Sequence, residues 1–145
     1  MPQTDEILTR IDGSVGYVTL NRPKAINSLN QSMIDTLRDV LSGWADDPAV
    51  ETVVINGAGE RGLCAGGDVV ALRTSALDDG AEARTFFHDE YTLNGQIGRF
   101  PKPYVALMDG IVMGGGVGVS AHGSVRVVTD TTRLAMPEVG IGFIP

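Results

Sequence analysis

Two clusters of glycine could do chemistry through the backbone rather than through side chains. The chain has 145 residues and 19 glycines, about twice the usual share of roughly 7%. Five glycines fall within residues 57–67 and five within residues 110–118, and each cluster is flanked by apolar segments that predict strand, tight loop and helix. The first N–H groups of a helix lack internal partners and lie at the positive end of its dipole. We therefore expect Gly67 and Gly115, each at a helix start, to donate to one oxygen as an oxyanion hole.

Other uses of glycine-rich loops fit less well. Neither cluster contains the Gly-Lys-Ser/Thr sequence of a P-loop. The glycines of residues 114–118 are too close together for a dinucleotide-binding fingerprint. A flexible linker is disfavoured because both clusters are bordered by predicted strands and helices. A site built from backbone donors is the remaining interpretation.

The elements that must position these loops follow from hydrophobic periodicity. The patterns predict strands over residues 7–11, 15–20, 52–56, 104–108, 125–129 and 133–136, and helices over residues 31–44, 68–75, 81–97 and 115–122. Asn30 and Asp68 are the predicted N-caps of the first two helices. The first helix carries an apolar stripe ending in Trp44, which we expect in the core. The fold class is α/β, with no sequence repeat that can be demonstrated.

Composition excludes several classes of function. Acidic residues outnumber basic ones by 18 to 11, a formal net charge of −7, which disfavours nucleic-acid binding. The most apolar stretch, residues 104–121, includes Asp109 and five glycines, so we expect no membrane span. No metal site is predicted. The single Cys64 and the lack of a leader-like opening predict a reducing, cytoplasmic location.

Three segments resemble the enoyl-CoA hydratase/isomerase (crotonase) family. Residues 63–68 (LCAGGD) and 113–118 (MGGGVG) look like its two signature loops, and residues 20–27 (LNRPKAIN) look like its adenine-side loop. The resemblance implies a crotonase-like (ClpP/crotonase) spiral of repeated ββα units and a coenzyme A thioester substrate. It also implies assembly into a homo-oligomer. Coenzyme A would enter as part of the substrate, with no separate cofactor.

The carboxylates favour one branch of that family. By resemblance, hydratases carry a catalytic Glu where this chain has Gly118, while their second Glu is kept as Glu138 after Pro137. This pattern, with residues 89–91 and 119–123, is similar to the 3-hydroxyisobutyryl-CoA hydrolase branch, a thioesterase of valine catabolism. That branch would place an Asp at position 146.

The resemblance assigns roles by position. Gly67 and Gly115 would be the oxyanion donors, and Glu138 would activate water or attack the thioester directly. Glu90 would hold the substrate's hydroxyl or a water molecule. The remaining predicted substrate-binding residues are Gly66, Asp68, Gly114, Lys24, Ala25 and Ala65. His122 and Cys64 are weaker candidates, since no partner is placed to activate either.

Two other functions stay open at this point. One is an enoyl-CoA hydratase or isomerase that works with a single carboxylate, and the other is a non-catalytic acyl-CoA-binding module. From the resemblance, we expect residues 1–145 to be the N-terminal crotonase-like core of a longer chain, without the C-terminal helical region. We also expect this portion alone to be inactive, and a C-terminal segment to complete the site.

Overall fold

The computed structural model describes residues 5–145. The strands are β1 (Ile7–Asp12), β2 (Val15–Leu20), β3 (Thr52–Gly57), β4 (Gly62–Cys64), β5 (Tyr104–Met108), β6 (Ile111–Met113), β7 (Val125–Val128) and β8 (Arg133–Ala135). The helices are α1 (Gln31–Asp46), α2 (Val69–Leu77), α3 (Ala81–Gly98) and α4 (Gly115–Ala121), with two short 3-10 turns at Pro23–Ala25 and Glu138–Ile141. All six predicted strands and all four predicted helices are present, with ends shifted by at most two residues.

The strands form two sheets, and successive strands after β2 lie alternately in one sheet and in the other. The larger sheet has the order β1-β2-β3-β5-β7 and the smaller one the order β4-β6-β8. Only the β1–β2 hairpin is antiparallel among the described pairs, and every other pair of neighbouring strands is parallel. After that hairpin, each pair of successive strands sends its first member to the larger sheet and its second to the smaller. The structure thus contains the repeated unit that the sequence does not reveal.

Helix α1 illustrates how the sequence forms these elements. Asn30 caps the helix by accepting a hydrogen bond from the Met33 amide at 2.9 Å. The stripe predicted on this helix faces the core: Met33, Ile34, Leu37 and Leu41 are buried, and Val40 and Trp44 pack against them. Trp44 lies over β2 so closely that an ideal Cβ placed on Gly16 would be 2.6 Å from its ring. The glycine at position 16 leaves the space that the indole needs.

Strands β4 and β6 were not predicted. Each is only three residues long, and the pairing between them is interrupted by a register shift between Gly62 and Cys64. Three residues are too few to show an alternating pattern, and the surrounding glycines point to loops instead. These two strands nevertheless position both glycine loops.

Among the described residues, no helix is long and apolar enough to cross a membrane.

Candidate active site

Three loops meet at one edge of the smaller sheet. Strand β6 pairs in parallel with β4 on one side and with β8 on the other, so the carboxyl ends of all three strands lie side by side. The chain leaving β4 reaches Gly66 and Gly67, the chain leaving β6 reaches Gly114 and Gly115, and the chain leaving β8 reaches Glu138. The carboxyl ends of parallel strands are the usual position of ligand sites in α/β proteins. The topology therefore brings the three predicted catalytic residues to one edge.

The two predicted donor amides converge. An ideal Cβ on Gly66 would lie 3.7 Å from the Gly115 nitrogen, and one on Gly115 would lie 3.4 Å from the Gly67 nitrogen. Within residues 5–145 neither of these N–H groups donates a hydrogen bond: Gly67 precedes α2, and Gly115 is the first residue of α4. The predicted oxyanion hole requires two free amides close together, and these two amides meet that requirement.

The loop backbone requires glycine at two of these positions. Gly66 has a φ of +123° and Gly114 a φ of +52°, a region that L-residues with a side chain rarely adopt. At position 115 glycine is favoured by the lack of space for a side chain, because a Cβ there would collide with Oε1 of Glu90. Any side chain at position 115 would therefore intrude between the two donors and the nearest carboxyl.

Glu138 lies directly against the second glycine loop. An ideal Cβ on Gly114 would be 2.8 Å from Oε1 of Glu138. The other carboxyl oxygen, Oε2, is buried and has no hydrogen-bond partner among the described residues. A buried carboxyl oxygen without a partner is costly unless a ligand or water satisfies it. Its position beside the two amides suits a group that acts on a bound carbonyl.

Glu90 is the second carboxyl of the site. It lies on the buried face of α3 with Phe86 and Leu93 and is only 5% exposed. Burial, with a smaller contribution from the charge of Glu138, raises the pKa of Glu90 from 4.5 to about 7. A carboxyl with a pKa this high is partly protonated at neutral pH, as the acid of an acid–base pair must be.

A cavity of about 760 Å³ contains this chemistry. Its floor includes Ala65, Gly66, Gly67, Gly114 and Gly115 together with both carboxyls, so seven of the predicted site residues line it. Phe87 of α3 stacks on Phe143 with ring centroids 5.2 Å apart, and the residues up to Pro145 extend the apolar wall. The volume lies within the range of about 300–1,000 Å³ that is usual for small-molecule sites.

The other three predicted binding residues do not line this cavity. Lys24 and Ala25 lie in the 3-10 turn after β2, where Lys24 is exposed. Asp68 caps α2 through the Ala71 amide and pairs with Arg22 at 3.2 Å. Arg22 also binds Glu6, so Asp68 holds the loop after β2 against the start of α2. Substrate contacts by these three residues stay predictions.

Cys64 is buried and inert. Burial raises the pKa of its thiol to about 12, so the nucleophilic thiolate is absent at neutral pH. An ideal Cβ on Gly116 would collide with the Cys64 carbonyl, which shows how tightly β4 and α4 pack. The residue is a small core side chain beneath the glycine loops.

Asn94 is a cavity residue that sequence reasoning missed. It lies one helical turn after Glu90 on α3, and its Oδ1 is buried without a hydrogen-bond partner among the described residues. The i, i+4 spacing from Glu90 could have identified it, because residues four apart share a helix face.

Comparison with known proteins gives this site a family. A family model described as enoyl-CoA hydratase/isomerase matches residues 15–145. The chain belongs to the enoyl-CoA hydratase/isomerase family. The predicted resemblance is confirmed, and so is the crotonase fold, since solved structures of this family superpose on nearly the whole chain.

The individual relatives are named as a hydrolase, a dehydratase and a hydratase. The mitochondrial 3-hydroxyisobutyryl-CoA hydrolase of Danio rerio is 48% identical over 140 residues, which are 97% of this chain and 37% of the relative. A crystal structure of a carnitinyl-CoA dehydratase from Mycobacterium thermoresistibile is 65% identical with a TM-score of 0.96, over 98% of this chain and 42% of that one. An enoyl-CoA hydratase from Rhodobacter sphaeroides 2.4.1 is 42% identical with a TM-score of 0.89, over 92% and 40%. The chain thus spans about two fifths or less of the length of these relatives.

The predicted cytoplasmic location is wrong by this comparison, because the curated hydrolase relatives are mitochondrial. The prediction rested on a single cysteine and on the lack of a leader-like opening, and a cysteine count bears on the redox state of a compartment, not on which compartment it is.

Proposed function

We propose that the protein hydrolyses a short β-hydroxyacyl-CoA thioester of the 3-hydroxyisobutyryl type, a step of valine catabolism. The observation that carries the proposal is that Gly67, Gly115 and Glu138 line one cavity together with a glycine at position 118. The names of the curated hydrolase relatives support the same substrate.

The chemistry follows from the positions of these groups. The thioester carbonyl oxygen accepts hydrogen bonds from the two amides, which stabilise the negative charge that develops when the carbon is attacked. Glu138 either takes a proton from the attacking water or attacks the carbon itself to give an anhydride that water then opens. In both routes the C–S bond breaks, and water supplies the hydroxyl of the acid and the proton of the thiol. The products are a β-hydroxy acid and coenzyme A.

The high proton affinity of Glu90 suits this scheme. Its Oε1 lies against Gly115, next to the place where the oxyanion forms. An ionised carboxylate there would oppose the developing charge, whereas the protonated form does not. The raised pKa of Glu90 therefore reduces the negative charge beside the proposed oxyanion hole at neutral pH.

Hydration or dehydration of a double bond is the second candidate function. It is favoured by the 65% identity to a structure described as a carnitinyl-CoA dehydratase. The absence of a side chain at Gly118 disfavours it, because the two-carboxylate reaction needs an acid at that position by the family resemblance. Glu90 is the only described carboxyl besides Glu138 that lines the cavity.

Two assays on the full-length protein separate these functions. Release of free thiol from 3-hydroxyisobutyryl-CoA measures hydrolysis, and loss of the enoyl absorbance of crotonyl-CoA measures hydration. We expect thiol release without loss of enoyl absorbance. Hydration of crotonyl-CoA without thiol release would contradict the proposal and favour the second candidate. Tight binding of the thioester with neither reaction would identify an acyl-CoA-binding module.

Coenzyme A as part of the substrate, the absence of a separate cofactor and assembly into a homo-oligomer belong to the same proposal. They are supported by membership of the family.

A further inference from the structure

Asn94 carries an unexplained polar atom in the cavity. Only two buried side-chain atoms in the described part of the chain lack a hydrogen-bond partner, and they are Oδ1 of Asn94 and Oε2 of Glu138. Both residues line the same cavity. Since buried polar atoms are almost always satisfied, two unpartnered oxygens on residues that line one cavity make a bound ligand or water the natural partner for each.

The amide of Asn94 occupies the space above Gly118. An ideal Cβ on Gly118 would lie 2.6 Å from Nδ2 and 2.8 Å from Oδ1 of Asn94. The present position of Asn94 is therefore incompatible with any side chain at residue 118. At the place where family hydratases are expected to carry an acid, this protein presents a neutral amide from α3.

The chemistry of an amide differs from that of an acid at this place. An asparagine side chain binds hydrogen-bonding groups but does not take up or release a proton at neutral pH. A carbonyl oxygen such as Oδ1 needs a donor. The thioester carbonyl offers none, whereas the hydroxyl of a β-hydroxyacyl group does.

We propose that Asn94 is the positioning residue that recognises the substrate's hydroxyl group, with Oδ1 accepting the hydroxyl proton in a hydrogen bond. This inference rests on the proposed thioesterase function. A site that hydrogen-bonds a hydroxyl discriminates strongly against the analogue that lacks it, because its own polar atom is then left unpaired. Asn94 would thus give the enzyme its preference for hydroxylated acyl groups and would hold the hydroxyl where no acid can eliminate it as water.

The test compares two substrates and three variants of the full-length protein. The substrates are 3-hydroxyisobutyryl-CoA and isobutyryl-CoA, which differ only in the hydroxyl. Asn94→Leu removes the acceptor at similar volume, and Asn94→Asp keeps an acceptor oxygen at the same place. Gln96→Ala is the control on the same helix, since its amide binds the Arg38 carbonyl and the Ser42 hydroxyl, outside the cavity.

We expect Asn94→Leu to lower kcat/KM for the hydroxylated substrate about 100-fold and to change it less than about threefold for isobutyryl-CoA. Asn94→Asp should retain part of the preference, and Gln96→Ala should retain all of it. An equal loss on both substrates would assign Asn94 a structural role and overturn the inference. Unchanged kinetics on both would mean that Oδ1 binds only water, which also overturns it.

A binding measurement separates failure of this inference from failure of the proposed function. Non-hydrolysable thioether analogues of the two substrates can be titrated calorimetrically without turnover. If neither thioester is hydrolysed but the wild type binds the hydroxylated analogue more tightly and Asn94→Leu does not, the thioesterase function fails and the recognition role stands. If wild type and Asn94→Leu show the same ratio of the two dissociation constants, the recognition role fails.

Discussion

The larger and smaller sheets differ in what lies at the ends of their strands. Strands β2, β3 and β5 of the larger sheet carry core side chains, including Leu20, Ile55 and Ala106, each no more than 1% exposed. The smaller sheet has strands of three residues, whose carboxyl ends lead into the glycine loops and Glu138. The larger sheet thus supplies buried apolar area, while the smaller sheet supplies positions for reacting groups. Changes in the smaller sheet's loops should affect the reaction, and changes in the larger sheet should affect stability.

The largest effect is expected at Glu138. Glu138→Gln keeps the shape of the side chain but removes the carboxylate that, in the proposed mechanism, activates water or attacks the thioester. We expect kcat to fall about 1,000-fold or more, consistent with loss of a general base or nucleophile. Thiol release under saturating substrate measures this. Glu51→Gln, at an exposed position before β3, is the control and should be fully active. A Glu138→Gln enzyme with more than a tenth of wild-type kcat would rule out the assigned role.

The next effect is expected at the oxyanion hole. Gly115→Ala places a methyl group in collision with Glu90 Oε1 and close to the Gly67 amide. We expect kcat/KM to fall by about two orders of magnitude. Gly43→Ala is the matched control, because a Cβ at this exposed position of α1 meets no atom within 4 Å. It should leave activity unchanged and should not lower stability. Equal activities of the two variants would show that no carbonyl binds between the glycine loops.

A substitution in the core of the larger sheet should lower stability and leave catalytic activity largely unchanged. Ile55 lies in the middle strand β3 and is 1% exposed. Ile55→Ala should lower the free energy of unfolding by about 3 kcal/mol through lost burial and the cavity left behind. Urea unfolding measures this, with the half-exposed Leu8→Ala on β1 as a control that should change stability by less than about 1 kcal/mol. If the folded Ile55→Ala protein lost catalytic activity as severely as the Gly115 variant, the claim that the larger sheet affects stability and the smaller sheet's loops affect the reaction would be contradicted.

The smallest effect is expected from titration of Glu90. Its pKa is about 7 in the folded protein against an ordinary value of 4.5, so the folded state binds the extra proton between these values. The contribution of Glu90 to the free energy of unfolding should therefore fall as pH rises from about 4.5 to 7, by about 2–3 kcal/mol. In Glu90→Gln this contribution should be missing, so the difference in stability between variant and wild type should change with pH over that range. A constant difference from pH 4.5 to 7 would show that the Glu90 carboxyl titrates normally.

The two regions also differ in how well the sequence predicts them. The larger sheet and helix α1 follow from periodicity, because a stripe such as Met33, Leu37 and Leu41 must be buried to stabilise the fold. Strands β4 and β6 of the smaller sheet were missed because three residues flanked by glycines do not establish a period, and their stability comes from pairing with distant segments. Gly67, Gly115 and Glu138 were identified from motifs, yet their convergence follows only from the parallel order β4-β6-β8.

Side chains that reach the site from other elements were the hardest to predict. Asn94 shares no motif with the glycine loops, and its place above Gly118 depends on how α3 packs on α4. Asp68 shows the converse, since this residue of a signature loop caps α2, as predicted, and also binds Arg22, which no sequence pattern indicated. Motif membership locates a loop, whereas the direction of each side chain depends on tertiary packing.

The central claim is that the two glycine loops polarise a thioester carbonyl. Infrared spectroscopy of a ¹³C-labelled thioester bound to the full-length Glu138→Gln protein tests it directly, because hydrogen bonds to a carbonyl lower its stretching frequency. We predict a shift to lower frequency on binding that is lost when Gly115→Ala is added. A carbonyl band at the frequency seen in water, unchanged by Gly115→Ala, would contradict the account.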